Sequence, residues 1–370
     1  MQVGEPGEGV KTESKRPLFG ASADELRAWV VAQGHKPFRV KQIHQWAFHR
    51  RPKSFADMTD VPLDLRKKLD AEWTLFATEL AYRGVADDGT DKLLLRCRDG
   101  RNIECVLMAD GIRRTVCIST QVGCGMGCVF CASGLKGVER NLTSAEIFDQ
   151  VLQAQQLLPP GESVTHIVVM GMGESLANLD ALLVALDRVC SPADGLGMSQ
   201  RRVTISTVGL PEKIRKLAGK DRQYHLAVSL HAPTEELRNE LVPVNEKVGL
   251  AAVLEAADDY FRITGRQVTY EYVVLGGVND RPEHARALGR LLKGRKAHVN
   301  LIPYNAVAGL PFVRPEPEDV RRLVATVQGF GVAATVRRTK GRSIDAACGQ
   351  LRRRFEAASE PATVAIGPSS

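Results

Sequence analysis

In the stretch TQVGCGMGCVFCASG, residues 120 to 134, Cys124, Cys128 and Cys131 stand at the spacing C-x-x-x-C-x-x-C with no fourth cysteine close by. Three thiolates on one loop can bind a metal without help from the rest of the chain. A structural zinc site takes four protein ligands, which would need a distant His or Cys, and an open catalytic zinc site normally mixes His or carboxylate with Cys. An all-cysteine set favours an iron–sulfur cluster. Held by three thiolates, a four-iron cluster keeps one iron open to a small molecule. Gly123, Gly125, Gly127 and Gly134 let the loop backbone wrap such a bulky group closely.

Such a loop needs a scaffold, and the chain after it alternates strand-like and helix-like patterns. Candidate strands are TVCIS (115 to 119), THIVVM (165 to 170), RVTIS (202 to 206), HLAVS (225 to 229), VTYEYVV (268 to 274), VNLI (299 to 302) and AATVR (333 to 337). Between the first two, Thr143 and Glu146 have the form of a capping box, followed by Ile147, Val151, Ala154 and Leu158 on one helical face. This is βα alternation, so a parallel sheet follows. Glycine and polar clusters come after the strand ends: GMGE at 171 to 174, then Ser206 and Thr207, Ser229 and His231, and Asn305. In a parallel barrel those loops build the active site.

Ahead of this region, residues 18 to 75 read as a small helical domain. Asp24 can cap a first helix, and in FRVKQIHQWAFHRR the residues Val40, Ile43 and Ala47 fall on one face. Arg39, Lys41, His49, Arg50 and Arg51 are interleaved with Phe38, Trp46 and Phe48, which suits either an RNA-binding surface or a solvated basic face. Residues 76 to 109 read as a β-hairpin linking this domain to a core spanning 110 to 348. A basic segment and tail occupy 349 to 370.

The 370 residues carry a net charge of +7, compatible with an anionic partner, and 44% hydrophobic residues without an apolar run long enough to span a membrane. Residues 1 to 17 lack the apolar stretch of a signal peptide and read as a disordered tail, so the expected location is the cytoplasm. Eight cysteines in such a chain argue for metal or redox chemistry in a reducing compartment.

The motif C-x-x-x-C-x-x-C after a first strand, with Phe130 before its last cysteine, resembles the radical S-adenosylmethionine (SAM) superfamily. The resemblance implies a partial (β/α)6 TIM-like barrel, an α/β fold, and one [4Fe–4S] cluster on Cys124, Cys128 and Cys131 whose open iron binds SAM. Within that superfamily the chain is similar to RlmN and Cfr type RNA adenosine methyltransferases. The similarity is carried by FRVKQIHQW, FADMTDVPLDLR, CISTQVGCGMGCVFCASG, GMGESLAN, VSLHAPTEELRNELVPVN, YEYVVLGGVND, VNLIPYN and IDAACGQLR.

The resemblance implies roles for two further cysteines. Cys348 matches the cysteine that accepts a methyl group from one SAM, and Cys117 matches the resolving cysteine. A radical from a second SAM takes hydrogen from the S-methyl of Cys348, and the methylene radical adds to an adenine ring carbon. Cys117 then attacks the Cys348 sulfur, forming a disulfide and releasing methylated RNA. An sp2 C–H carbon of adenine cannot displace methyl from SAM, whereas a thiolate can. Glu104 matches the proton acceptor. SAM-binding positions carry over to Gly173, Glu174, Ser206, Ser229, Leu230, His231 and Asn305. Ser175 departs from the family, which usually has proline there. Around Cys348 lies a basic run, Arg337, Arg338, Lys340, Arg342, Arg352, Arg353 and Arg354, suited to phosphates and to lowering a thiol pKa.

The family implies methylation of C2 of adenosine in 23S rRNA and in tRNA, a flavodoxin or ferredoxin as electron donor, and a monomer. Methylation at C8 is the alternative within the family. From another class, a non-catalytic RNA-binding protein would use the three cysteines and a remote ligand to hold zinc. Cys97, Cys105 and Cys190 match no motif and read as buried small hydrophobes.

Overall fold

The computed structural model describes residues 15–337. The chain divides into two compact units, the division falling between Ala77 and Thr78. Cys348 and the basic residues from Arg338 onward lie outside the described residues.

The first unit contains β1 (Arg16–Pro17), α1 (Ala23–Ala32), α2 (Arg39–Gln45), α3 (Leu63–Glu72) and β2 (Trp73–Thr74), with β1 and β2 parallel. Ser22, not Asp24, caps α1. Its extended backbone lets its hydroxyl accept from Glu25 N while Glu25 accepts from Ser22 N, an arrangement worth about 1 kcal/mol. Asp24 sits inside the first turn and pairs with Arg27. Val40, Ile43 and Ala47 form the expected buried stripe, packed in a core that includes Leu26, Val30, Leu65 and Leu69. On the outside, the Arg39 and Arg50 guanidinium groups each lie 4.7 Å from a ring centroid, of Phe38 and Trp46 respectively. Asp60 takes a 2.6 Å hydrogen bond from Trp46 Nε1, which fixes that indole.

The second unit opens with an antiparallel run, β3 (Thr78–Val85), β4 (Asp91–Cys97), β5 (Asn102–Asp110) and β6 (Arg113–Cys117). A small ladder of β7 (Gln121–Gly123) and β8 (Val138–Asn141) follows, flanking the cysteine loop. The remainder alternates: α4 (Ser144–Gln156), β9 (His166–Val169), α5 (Leu179–Cys190), β10 (Val203–Thr207), α6 (Pro211–Ala218) and β11 (His225–Ser229). Then come α7 (Glu235–Leu241), α8 (Asn245–Val248), α9 (Leu250–Thr264), β12 (Val268–Val274), α10 (Pro282–Leu292), β13 (Ala297–Pro303), α11 (Pro317–Gly329) and β14 (Ala333–Val336).

Strands β6 and β9 to β14 are parallel neighbours in chain order. Six βα units starting at β6, β9, β10, β11, β12 and β13 therefore make the expected partial barrel, and β14 ends the sheet. Residues 76 to 109 differ from the expected hairpin linker: they form three strands continuous with the barrel sheet. Leu93, Leu94 and Leu95 of β4 are all fully buried, so both faces of this strand need cover that a free hairpin lacks.

The α4 capping box is present, with Thr143 Oγ1 accepting from Glu146 N at 3.2 Å and Glu146 accepting from Thr143 N at 2.8 Å. Its stripe of Ile147, Val151, Ala154 and Leu158 is buried, each large side chain contributing about 2 kcal/mol. From the same helix, Gln150 holds Ser119 by N–H (2.7 Å) and carbonyl (2.9 Å), which fixes the chain where it leaves β6 for the cysteine loop.

Candidate active site

The loops after the parallel strands and the inner face of β5 and β6 enclose a cavity of about 350 Å³. Its walls include Glu104, Cys117, Cys124, Cys128, Cys131, Gly173, Glu174, Ser206, Ser229, His231 and Asn305. Residues spread over two hundred positions of sequence thus face one space. Leu230 does not join them: its side chain is fully buried and its N–H donates to Glu271 O at 2.9 Å. It can contribute only through its backbone.

The cysteine loop leaves β7 at Gly123, which has φ +77°; a Cβ there would stand 2.1 Å from Gly137 O. Only glycine lets the loop turn so close to β8. Burial, followed by the nearness of Cys131 and Cys124, pushes the Cys128 thiol far up, and burial pushes Cys124 up to about 11. Thiols so placed need a soft multivalent cation to lie there as thiolates. The donor set therefore fits an iron–sulfur cluster. Among the described residues no three His, Cys, Asp or Glu side chains converge on a single ion. A cubane cluster is several atoms wide and asks for thiols set further apart.

Behind the cluster loop, Gly173 has φ +100°, and a Cβ on it would meet Gln121 Cβ at 2.6 Å. Gln121 Oε1 in turn accepts from Glu174 N at 2.8 Å, so GMGE is drawn against the base of the cysteine loop. Glu174 is 3% exposed, and burial raises its carboxyl pKa. One oxygen accepts from Leu176 N (2.9 Å) and the other from Val208 N (2.8 Å), which ties the β9 and β10 loops together. Ser175 replaces the family proline without leaving its hydroxyl idle, since Oγ donates to Val169 O at 3.2 Å.

Ser206 and Ser229 meet at 3.4 Å between their hydroxyls on adjacent strands. His231 adopts φ +59°, its Nδ1 accepts from Val273 N at 3.1 Å, and Phe130 packs edge-on to its ring at 4.9 Å. Burial holds its pKa down at about 3, so the ring is neutral with its proton on Nε2. Asn305 is braced by Arg314 Nη1, which donates to Oδ1 at 2.7 Å. The set offers hydroxyls, an imidazole N–H and an amide to a polar ligand, which fits the amine, hydroxyl and purine edges of SAM.

Every cysteine among the described residues is free, Cys117 included. The Cys117–Cys348 disulfide implied by the family is therefore not a feature of this structure. Glu104 is 2% exposed, on a strand with buried residues on both faces.

Three residues carry site geometry that the motifs did not single out. Glu271 is buried on the cavity wall, where burial raises its pKa against the opposing effects of Arg337 and a 2.7 Å bond from Asn300. Gln121 is described above. Arg238 is fully buried and donates to the carbonyls of Leu230, Val208 and Ser229 and to Asn245 Oδ1. Burial brings its pKa down to about 10. The available signal was its place one turn before Leu241, on the apolar side of α7. Arg238→Met leaves those carbonyls unpaired and is expected to cost about 3–5 kcal/mol. Chemical denaturation checks it, and a loss under about 1 kcal/mol would contradict the bracing role.

Residues 17–75 match the family described as the ribosomal RNA large subunit methyltransferase N-terminal domain, and residues 118–288 match the Radical SAM superfamily. A protein of Rhodopirellula baltica described as a probable dual-specificity RNA methyltransferase RlmN is 55% identical over 339 residues, covering 92% of this chain and 91% of its own. Similarly described proteins of Thermosynechococcus vestitus and Bacillus subtilis are 47% and 42% identical, covering 90% and 92% of this chain and 98% and 94% of their own. The crystal structure of a radical SAM methyltransferase from Sphaerobacter thermophilus matches with a TM-score of 0.87 at 41% identity, over 90% of this chain and 98% of that one. The chain belongs to the RlmN family of radical SAM RNA methyltransferases.

Proposed function

We propose that this chain methylates C2 of adenosine in 23S rRNA, at the peptidyl transferase centre, and in tRNA next to the anticodon. The observation that carries the reading is the meeting, in one cavity, of the three clustered thiols with a separate thiol, Cys117, and a buried carboxylate, Glu104. A zinc-stabilised binding module has no use for either of the last two. Cys124, Cys128 and Cys131 hold one [4Fe–4S] cluster, and Gly173, Glu174, Ser206, Ser229, His231 and Asn305 hold SAM, two of which are used per turnover. When bound, the cluster would supply the electron that cleaves SAM, and a flavodoxin or ferredoxin would deliver it.

The protein's own groups do the rest. Cys348, outside the described residues, takes the methyl group as a thiolate and carries it to the ring carbon. Glu104 accepts the proton that leaves that carbon. The one unpaired electron that radical addition leaves on the ring would pass back to the cluster when it is bound; Cys117 then attacks the Cys348 sulfur, so that an S–S bond forms while the S–C bond breaks and its electron pair goes to carbon, which takes up a proton to become the methyl group. Arg337, at the cavity wall and the first residue of the basic run, favours the Cys117 thiolate against the burial that opposes it. Among the described residues no helix is long and apolar enough to cross a membrane.

Anaerobic reconstitution with iron and sulfide, followed by nucleoside mass spectrometry of treated rRNA and tRNA, tests the reading. It predicts 2-methyladenosine in both, and an added methyl on the peptide that contains Cys348. The 8-methyl isomer as product would overturn the C2 assignment.

A further inference from the structure

The antiparallel part of the sheet pairs the proton-accepting Glu104 with a lysine, Lys92, that the reaction as described does not use. In the β4–β5 ladder Lys92 stands opposite Val106 and Leu94 opposite Glu104, which makes Lys92 and Glu104 diagonal neighbours on one face. Lys92 Nζ lies 3.1 Å from Glu104 Oε2, with side chains 1% and 2% exposed. Val106 in turn stands opposite Cys117 in the β5–β6 ladder, so the pair borders the resolving thiol.

Burying both charges is expensive, since desolvation costs several kcal/mol per ion and a well-packed apolar pair is often at least as stable. The flanking residues Leu93, Leu94 and Leu95 show that this strand accepts apolar side chains throughout. Stability therefore gives no reason for a lysine at 92. Position does. Ser119 Oγ donates to the Glu104 carbonyl at 2.6 Å and fixes the backbone of that residue, while Lys92 fixes its carboxylate. Beside them on the cavity wall, Thr90 is fully buried and its Oγ1 has no hydrogen-bond partner among the described residues. A buried hydroxyl of that kind marks a wall shaped to meet a polar edge. Lys92 also offsets at Cys117 the charge that Glu104 brings there.

We propose that Lys92 is the positioning residue for the proton-accepting carboxylate, holding Glu104 beside Cys117 so that the proton and the sulfur are dealt with on the same RNA adduct. The inference rests on the function proposed above. In the step it serves, the proton passes from the ring carbon to Glu104, while Lys92 keeps its own protons and forms no bond.

The test compares Lys92→Met, Glu104→Gln and the double variant in the reconstituted holoenzyme. The readout is covalent RNA–protein adduct on denaturing gels, divided by 5′-deoxyadenosine released, with unfolding midpoints of the apoproteins measured alongside. Each single variant is expected to raise that ratio about tenfold or more, within the ~10²-fold or more that a positioned general base typically supplies. Because both act through one carboxylate, the double variant is expected to match Glu104→Gln within about twofold. A wild-type ratio in Lys92→Met beside a raised one in Glu104→Gln would overturn the proposal while leaving the base intact. So would a double variant whose ratio is the product of the two increases. If Lys92→Met alone does not fold, its carboxylate being stranded, the neutral double variant decides: equality with Glu104→Gln supports the proposal and a further rise refutes it. A wild-type ratio in Glu104→Gln would remove Glu104 as the base, and this proposal with it, whereas failure of the wild type to make methyladenosine would strike the proposed function itself.

Discussion

Cys128→Ala is expected to yield a folded chain that retains little iron after reconstitution and forms no detectable methyladenosine, a loss of at least ~10⁴-fold. The fold should survive because the thiol adds little to it. Cys128 packs at the edge of the cluster formed by Phe130, Leu241, Val242 and Tyr304, and its carbonyl, which the variant keeps, accepts from Cys131 N at 3.1 Å. Trimming one sulfur there costs roughly 1 kcal/mol. The activity cannot survive, because two thiolates on this loop leave a second iron without a protein ligand. Iron and sulfide content, the absorbance lost on reduction, and a thermal melt separate the two effects. Full iron content together with wild-type methylation would show that Cys128 is not a ligand.

That loop was the easiest part of the chain to read, because ligand spacing is local and survives without knowledge of the fold. The parallel strands were equally open to reading: VTYEYVV and HLAVS are β-branched runs between capped helices, and they became β12 and β11. Positions set by distant partners were not. In NIECVLM, period-two alternation turns Glu104 toward solvent if one face of the strand is wet. Here both Glu104 and Cys105 are buried, because β5 is covered on both sides, and the partner of Glu104 sits on another strand at Lys92. Arg238 misleads in the same way. A lone arginine in ELRNEL looks solvated until the Val208, Ser229 and Leu230 carbonyls turn toward it, and which carbonyls do so is decided by loops far apart in the chain. Leu230 shows the converse, since its place in VSLHA marks the motif while its side chain belongs to the core.

Cys117→Ala should stop the reaction one step later than Cys128→Ala, with the RNA covalently held to the protein. Cys117 lies across the ladder from Val106 and faces the cavity that Glu104 also lines, so its thiol is placed to act on an adduct after the ring carbon has reacted. Burial raises its pKa, and Arg337 is the largest opposing influence, so attack depends on a cation near the thiol. Alanine removes the only group proposed to break the S–C bond while leaving the cluster thiols and Glu104 in place. Released methyladenosine should fall by about 10³-fold or more, and adduct should approach one per active chain. Cys105 supplies the control. It is fully buried next to Glu104 on the same strand, its Sγ lies 3.7 Å from Gln150 O, and it does not line the cavity. Cys105→Ala should therefore accumulate no adduct. Denaturing gels with labelled RNA, and mass analysis of the crosslinked peptide, read out both variants. Free methylated RNA at the wild-type rate from Cys117→Ala, or equal adduct from Cys105→Ala, would show that the S–C bond is broken by another group.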